Sequence, residues 1–130
     1  MASIFTRIIN GEIPCYKVTE NENFIAILDA FPIQKGHTLI IPKREEDNIF
    51  DLTDSELSEM MIFAKGVAKT IQKAFSCRKV GVTVIGLEVP HAHIHLIPMN
   101  EEKDMSFQNK KLSLSKEDME EILEKIKKFQ

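Results

Sequence analysis

The sequence predicts an α+β domain with a five-stranded, mainly antiparallel sheet, a long central helix and a helix near each terminus. Its elements run helix, three strands, long helix, two strands, helix, without the regular alternation that builds parallel sheets. Short polar turns separate the early strands, as in hairpins. With 130 residues, 43% hydrophobic and 28% charged, the chain has the size and balance of a single globular domain over residues 1–130.

The N-terminal part begins with a short helix. Ser3 is placed to cap this helix, which is predicted to run through Asn10, and Gly11 supplies its left-handed end. Strands are predicted where β-branched and other apolar residues lie between turn residues, at 15–19, 24–28 and 38–41.

The central helix has the clearest signals in the chain. Thr53 and Glu56 form a capping box, in which the two side chains satisfy backbone donors of the first turn. Apolar residues at helical spacing predict its buried face, which comprises Leu57, Met60, Met61, Ala64, Ala68, Ile71 and Phe75. We assign both methionines to the core because this flexible side chain fills gaps.

Two strands and a helix complete the prediction. The strands are expected at residues 80–85 and 91–99, with a bend permitted at Gly86. Ser115 and Asp118 give a weaker capping signal for a terminal helix over about 116–129. Its apolar face is predicted as Met119, Ile122, Leu123, Ile126 and Phe129, and the polar residues 101–115 are interpreted as a surface connection.

Charge and composition exclude several classes of function. A net charge of −3 argues against nucleic-acid or membrane-surface binding as the main role, because both need a basic surface. No apolar run approaches the roughly 20 residues of a transmembrane helix, and the first residues lack a signal-peptide pattern. Cys15 and Cys77 form no CxxC motif, so we expect a reduced, cytoplasmic protein without disulfides.

Three of the four histidines lie at alternate positions, His91, His93 and His95. Side chains alternate between the two faces of a strand, so these imidazoles would share one face, opposite Ala92 and Ile94. Imidazole is well suited to proton transfer, nucleophilic attack or metal ligation near neutral pH.

The histidine pattern leaves three interpretations open. The first is a set of surface histidines on an exposed strand. The second is a metal site, although residues spanning roughly 13 Å along a strand cannot all reach one zinc ion, so His37 or a distant carboxylate would have to complete a two-histidine site. The third is covalent catalysis on phosphorus, in which the central imidazole attacks and its neighbours hold the phosphate oxygens.

The chain around these histidines reads VPHAHIHLIP over residues 89–98. This segment resembles the signature of the histidine-triad family of nucleotide hydrolases and transferases. Residues 4–14 resemble the family's opening helix, and residues 24–43 resemble its middle section. The similarity follows the family's order over most of residues 3–99, the core of the motif.

The resemblance implies a five-stranded antiparallel sheet, a homodimer and a purine nucleotide substrate, with no cofactor and no metal. It implies that His93 is the nucleophile that takes up a nucleoside monophosphate group, which water then releases. His91 and His95 would flank it and bind the phosphate, and His37 would support the cluster from a neighbouring strand.

The family also implies a binding pocket for the nucleoside. Asp29 matches the position that binds the ribose hydroxyls, although a turn cap before Phe31 is an alternative role for its carboxylate. The apolar base-and-ribose pocket is matched by Phe5, Ile8, Ile13 and Ile27.

The sequence departs from the family at two places. Leu87 and Glu88 stand where members often have glutamine followed by serine or threonine, which leaves the handling of the leaving group open, with Glu88 at the substrate. Ser3 and Thr6 stand where many bacterial relatives have the cysteines of a structural zinc site, and hydroxyls are poor zinc ligands beside thiolates.

These features together favour a purine nucleoside phosphoramidase of the adenosine 5′-phosphoramidate type. A dinucleoside polyphosphate hydrolase and a nucleotide-binding module of low turnover are the alternatives.

Overall fold

The computed structural model describes residues 2–130. The helices described are α1 (Ile4–Ile9), α2 (Asp54–Phe75) and α3 (Lys116–Lys127). The strands are β1 (Lys17–Glu20), β2 (Phe24–Leu28), β3 (Thr38–Pro42), β4 (Lys79–Thr83) and β5 (Ile94–Met99). Short 3-10 turns lie at Ile49–Asp51 and Glu102–Met105.

The five strands form one sheet in the order β1-β2-β3-β5-β4, and every neighbouring pair is antiparallel. The predicted α+β architecture is therefore confirmed. Strand β5 lies inside the sheet, where His95 is paired with Leu39 of β3 on one side and Thr83 of β4 on the other. Strands β1 and β4 form the two edges.

Both faces of the sheet are covered, by different elements. Alternate residues such as Ala26, Ile40 and Leu96 pack into the main core against α2 and α3. The strand residues between them face α1 and form a smaller cluster with its Phe5; they are Ile25, Ile27, Leu39 and Ile41. Because side chains alternate along β5, the side chain of His95 lies on the α1 face.

The predicted helix caps are confirmed. Ser3 Oγ accepts the backbone N–H of Thr6 at 3.0 Å, and Gly11 ends the first helix with a φ of +79°. Complete capping boxes are present at Thr53 and at Ser115. A capping box involves residues only three positions apart, so it can be predicted without knowing how the rest of the chain folds.

Three predicted details are wrong. Met61 is 45% exposed, because each residue turns about 100° around the helix and only Met60 faces the core. Strand β4 ends at Thr83, and Ile85 is exposed beyond it. Phe129 lies after the end of α3 and is also exposed.

Within residues 2–130, no helix has both the length and the apolar character needed to cross a membrane.

Candidate active site

A cavity of about 500 Å³ opens on the α1 face of the sheet. It is lined by His37, His93 and His95, together with Asp29 just after β2. Helix α1, the loop between β4 and β5, and the chain after β5 supply the remaining wall. A concave, largely apolar site with a few convergent polar groups is typical of small-molecule binding.

The alternation predicted that the three histidines of the motif share one face of a strand, and this prediction is wrong. Strand β5 begins one residue after His93, so His91 and His93 belong to the segment before it. His93 and His95 line the cavity, and His91 does not. All three are at most 7% exposed, so the interpretation as surface histidines is also wrong.

The backbone fixes the tautomer of His93. Its Nδ1 lies 2.7 Å from the carbonyl oxygen of His91, which can only accept a hydrogen bond, so Nδ1 carries the proton. Nε2 is then the nitrogen with a free lone pair. The ring of Phe5 contacts the imidazole edge-on at 4.9 Å between centroids. Burial lowers the pKa of His93 below its usual 6.5, which keeps this lone pair available at neutral pH.

The ring of His91 is held on both sides. Its Nε2 donates to the carbonyl of Pro42 at 2.8 Å, so Nδ1 is the acceptor and receives the hydroxyl of Ser3 at 2.7 Å. Both ring nitrogens of His91 are therefore hydrogen-bonded within the protein. Neither is free for the expected role of binding the phosphate. His91 instead contributes its carbonyl, which orients His93.

Sequence reasoning missed the anchor of this arrangement, Glu45. Its Oε1 accepts the backbone N–H of Ser3 and the hydroxyl of Thr6, both at 2.7 Å. The hydrogen bond from the Ser3 backbone is the main reason that the pKa of Glu45 falls to about 2. Ser3 and Thr6 supply hydroxyls already engaged in hydrogen bonds, so they do not fit a thiolate zinc site. Glu45 had no signal in the sequence, because it lies in a charged loop.

A second hydrogen-bonded pair fixes the other side of the cavity. His37 Nδ1 accepts the backbone N–H of Ile33 at 3.3 Å, so its Nε2 carries the proton and donates to His95 Nδ1 at 2.9 Å. His95 therefore carries its own proton on Nε2. Because its Nδ1 is satisfied, Nε2–H is the donor that His95 can offer to a ligand in the cavity.

Burial keeps this pair neutral. It lowers the pKa of His37 to about 4, against the opposing attraction of Asp29. It lowers the pKa of His95 to about 3, with the charges of His93 and His37 acting in the same direction. Neutral imidazoles can donate and accept hydrogen bonds in a fixed order, which protonated rings cannot do.

Asp29 combines the two roles considered for it. One carboxylate oxygen accepts the backbone N–H of Phe31 at 2.8 Å, which is the turn-capping contact. The other lies 3.6 Å from His37 Nε2, and the residue lines the cavity. A single carboxylate can therefore shape the turn and still offer acceptor capacity to a ligand.

One group of residues at the cavity could bind a metal ion. Asp29, His37 and His95 offer ligand atoms that all lie within 4.8 Å of one another. However, His37 and His95 already share a hydrogen bond, which a metal ion would have to replace. His93, the residue with the free lone pair, is not part of this group.

The expected apolar wall is present in part. Phe5, Ile8 and Ile27 line the cavity, but Ile13 does not. Glu88 also lines the cavity and is exposed to solvent.

Two further lining residues come from the segment interpreted as a surface connection. Phe107 and Lys111 both reach the cavity. The one available signal was an isolated phenylalanine within a polar stretch, and neither helical nor strand periodicity applies there.

Replacing Ser3 with alanine should destabilise the fold more than replacing Ser115, which caps α3 in the same way without contacting a histidine. Loss of either cap costs about 1 kcal/mol. Ser3→Ala also removes the 2.7 Å donor of a buried His91 nitrogen and leaves only the Thr6 hydroxyl at 3.4 Å, which already donates to Glu45, so a further loss of roughly 1 to 3 kcal/mol is expected. Urea unfolding measures both changes, and equal losses would show that the hydroxyl contributes only as a cap.

Comparison with known proteins is consistent with this geometry. The HIT domain family matches residues 10–102. An adenosine 5′-monophosphoramidase of Saccharomyces cerevisiae is 38% identical over 103 residues, covering 78% of this chain and 65% of the yeast protein. An adenosine 5′-monophosphoramidase of Schizosaccharomyces pombe is 33% identical over 133 residues, covering 98% and 100%.

Solved structures show the same fold. A HIT-like protein from Bartonella henselae superposes with a TM-score of 0.84 at 30% identity, covering 98% of this chain and 96% of the other. The matched family spans both the sheet and the histidine motif, so the chain belongs to the histidine-triad (HIT) domain family.

Proposed function

We propose that this protein is a nucleotide hydrolase that works through a covalent nucleotidyl intermediate on His93, most simply a purine nucleoside phosphoramidase. The observation that carries the proposal is the hydrogen bond from His93 Nδ1 to the His91 carbonyl, which leaves a neutral Nε2 with a free lone pair. The names of the two yeast relatives support the substrate class.

Binding of the nucleoside would use the cavity wall near α1. Phe5, Ile8 and Ile27 offer apolar surface to the base and sugar. The Asp29 carboxylate would accept hydrogen bonds from the ribose hydroxyls, which are paired donors at suitable spacing for two oxygens. In this pose the α-phosphate would lie toward the histidines.

The reaction would proceed in two displacements. In the first, His93 Nε2 attacks the α-phosphorus, a bond forms between them, and the bond to the protonated leaving nitrogen breaks, so that the amine departs with the electron pair. His95 Nε2–H would donate to a phosphate oxygen as negative charge concentrates there. In the second, water attacks phosphorus and gives up a proton to the solvent, the electron pair of the bond to His93 returns to Nε2, and AMP leaves with the hydroxyl of water.

Two alternatives use the same cavity. Dinucleoside polyphosphates would enter by the same covalent step with a phosphate as leaving group. A nucleotide-binding module with little turnover would show tight AMP binding and no product. Glu88 at the cavity, where a carboxylate repels phosphate, keeps the second alternative open.

The proposal also includes the compartment and the partners of the protein. We infer a single domain in the cytoplasm with neither nucleic acid nor membrane as its partner. Cys15 and Cys77 are free, which suits a reducing compartment.

Replacing His93 with alanine should reduce release of AMP from adenosine 5′-phosphoramidate by about a thousandfold or more, the scale of losing an essential nucleophile. The assay contains a chelator, and thermal unfolding checks that the variant folds. Mass spectrometry after quenching in base should find an AMP adduct on wild type only. Activity that disappears with chelator and returns with zinc would contradict the metal-free mechanism.

Activity should persist as pH falls through 6.5, because protonation of His93 would remove the attacking lone pair and burial lowers its pKa. The free energy of unfolding should decrease as the pH falls below about 6.5. Unfolded histidines bind protons below about pH 6.5, whereas His37 and His95 in the fold stay neutral to about 4 and about 3, so acid favours the unfolded chain. Ring nitrogen NMR and urea unfolding at several pH values test this, and a neutral-range titration of His95 would contradict it.

A homodimer through the edge strand β4 is the proposed assembly. Val82 on this strand and Val84 just beyond it are 48% and 40% exposed, whereas the opposite edge strand β1 carries an ion pair between Lys17 and Glu20 at 3.4 Å. Light scattering at micromolar concentration should give twice the monomer mass. A Val82→Lys variant should be monomeric, because a charged edge resists strand pairing, while Thr19→Lys on β1 should stay dimeric. Monomeric wild type would contradict the assembly.

A further inference from the structure

The chain after β5 is fixed against the domain, although it forms no long helix or strand. We name residues 100–112 the crossing segment. At its start, the carboxylate of Asp104 accepts the backbone N–H of Asn100 at 2.9 Å. Next along the chain, Met105 packs over β4 at Gly81, where a β-carbon would meet the methionine Sδ at 2.5 Å. A glycine in the middle of this strand therefore leaves room for the crossing segment.

The far end of the crossing segment is attached beside the turn that Asp29 caps. The backbone N–H of Leu112 donates to the carbonyl of Pro32 at 2.8 Å. Pro32 directly follows Phe31, whose backbone N–H is bound by the Asp29 carboxylate. The crossing segment is therefore held at both ends, and residues between the two attachments line the cavity.

A tight turn between these attachments presents Phe107. The carbonyl of Ser106 accepts the backbone N–H of Asn109 at 3.1 Å, and the hydroxyl of Ser106 accepts the backbone N–H of Gln108 at 3.2 Å. The side chain of Asn109 donates to the carbonyl of Lys103 at 2.7 Å. Because these bonds fix the backbone on both sides of Phe107, the turn sets the direction of its side chain.

The ring of Phe107 packs against two of the buried histidines. Its centroid lies 4.9 Å from that of His95 and 6.0 Å from that of His37, with edge-on geometry in both contacts. The His95 ring also contacts the rings of His93 and His37, at 4.8 and 5.1 Å between centroids. Of these three rings around His95, only that of Phe107 has no polar atom. Phe107 is 37% exposed, so it covers the His37–His95 pair on one side and faces solvent on the other.

The hydrogen bond that Phe107 covers decides the tautomer of His95. The backbone N–H of Ile33 fixes the proton of His37 on Nε2, which donates to His95 Nδ1 and leaves the proton of His95 on Nε2. Water beside this pair would compete for both atoms of the bond, because water both donates and accepts. Without the ring of Phe107, His95 would lose a packing contact and its protection from water.

Building on the proposed function, we propose that Phe107 is a positioning residue, which keeps water from the His37–His95 hydrogen bond and so directs the Nε2–H of His95 at the phosphate of the nucleotide. Phe107 itself takes no part in the transfer of the nucleotidyl group. A donor that is oriented in advance stabilises the charge developing on a phosphate oxygen better than one that must first reorient. The crossing segment, which lies outside the histidine motif, thus contributes to the rate through His95.

Kinetics and binding separate a positioning role from direct contact with the substrate. We expect Phe107→Ala to lower kcat for adenosine 5′-phosphoramidate about tenfold, less than the roughly hundredfold lost when a donor to a developing oxyanion is removed outright. The affinity for adenosine, which has no phosphate, should stay unchanged. Phe107→Leu keeps an apolar side chain over the pair and should restore most of kcat.

The matched control is Phe129→Ala. Phe129 is 46% exposed and does not line the cavity, so its loss should leave kcat unchanged. Thermal unfolding checks that each variant is folded at the temperature of the assay. An unchanged kcat in Phe107→Ala would overturn the proposal. It would also be overturned by a fall in adenosine affinity as large as the fall in kcat/KM, which would show that the ring contacts the nucleoside.

The tautomer of His95 gives a readout that does not depend on turnover. Ring nitrogen NMR should show the His95 proton on Nε2 in wild type, as the 2.9 Å hydrogen bond from His37 requires. In Phe107→Ala the signals should shift toward a mixture of the two tautomers, whereas Phe107→Leu and Phe129→Ala should keep the wild-type pattern. A single, unchanged tautomer in Phe107→Ala would overturn the positioning role while the hydrolase survives. If wild type releases no AMP, the proposed function fails, and the tautomer pattern still decides whether Phe107 fixes the His95 ring.

Discussion

The hydrogen bond between His93 Nδ1 and the carbonyl of His91 is the contact on which the site depends. It decides which nitrogen of the ring keeps its lone pair, and it requires the His91 peptide to be held in one orientation. Ser3 and Pro42 hold the His91 ring, and Glu45 holds the chain that carries Ser3. A local choice of tautomer therefore rests on contacts from three separate parts of the sequence.

The second general feature is that every histidine of the chain is buried and hydrogen-bonded. Burial alone would be costly for a polar ring, but each ring has an ordered partner, and within residues 2–130 no buried side-chain nitrogen or oxygen lacks one. The outcome is a set of imidazoles whose donors and acceptors have fixed directions, and burial lowers the pKa of His37, His93 and His95. This arrangement suits chemistry in which charge develops on the substrate rather than on the protein.

The sequence predicts the fold better than it predicts the site. Helix caps at Ser3, Thr53 and Ser115 and the alternation of apolar residues in the strands are local signals, and the sheet order agrees with them. The alternation of the histidines was misleading because it assumes a strand, and β5 starts only after His93. The covalent chemistry suggested by their spacing stays a proposal, and the ring of His91 bonds to the Ser3 hydroxyl and the Pro42 carbonyl and does not line the cavity.

The residues missed by sequence reasoning share a physical cause. Glu45, Phe107 and Lys111 act at the site through loops, where neither helical nor strand periodicity indicates which way a side chain faces. The family resemblance did identify Asp29 and His37 as neighbours of the motif, since they lie at the ends of strands whose order the family defines. It also assigned Ile13 to the pocket, whose lining does not include this residue.

The contact between Ser3 and His91 joins residues 88 positions apart. In a chain made from its N-terminus, the first helix emerges long before the imidazole that it must hold. Contacts of such wide sequence separation form slowly, because the intervening loop has to close first. The order of synthesis therefore makes the alignment of His93 a late event in folding, reached only after the sheet has brought Ser3 and His91 together.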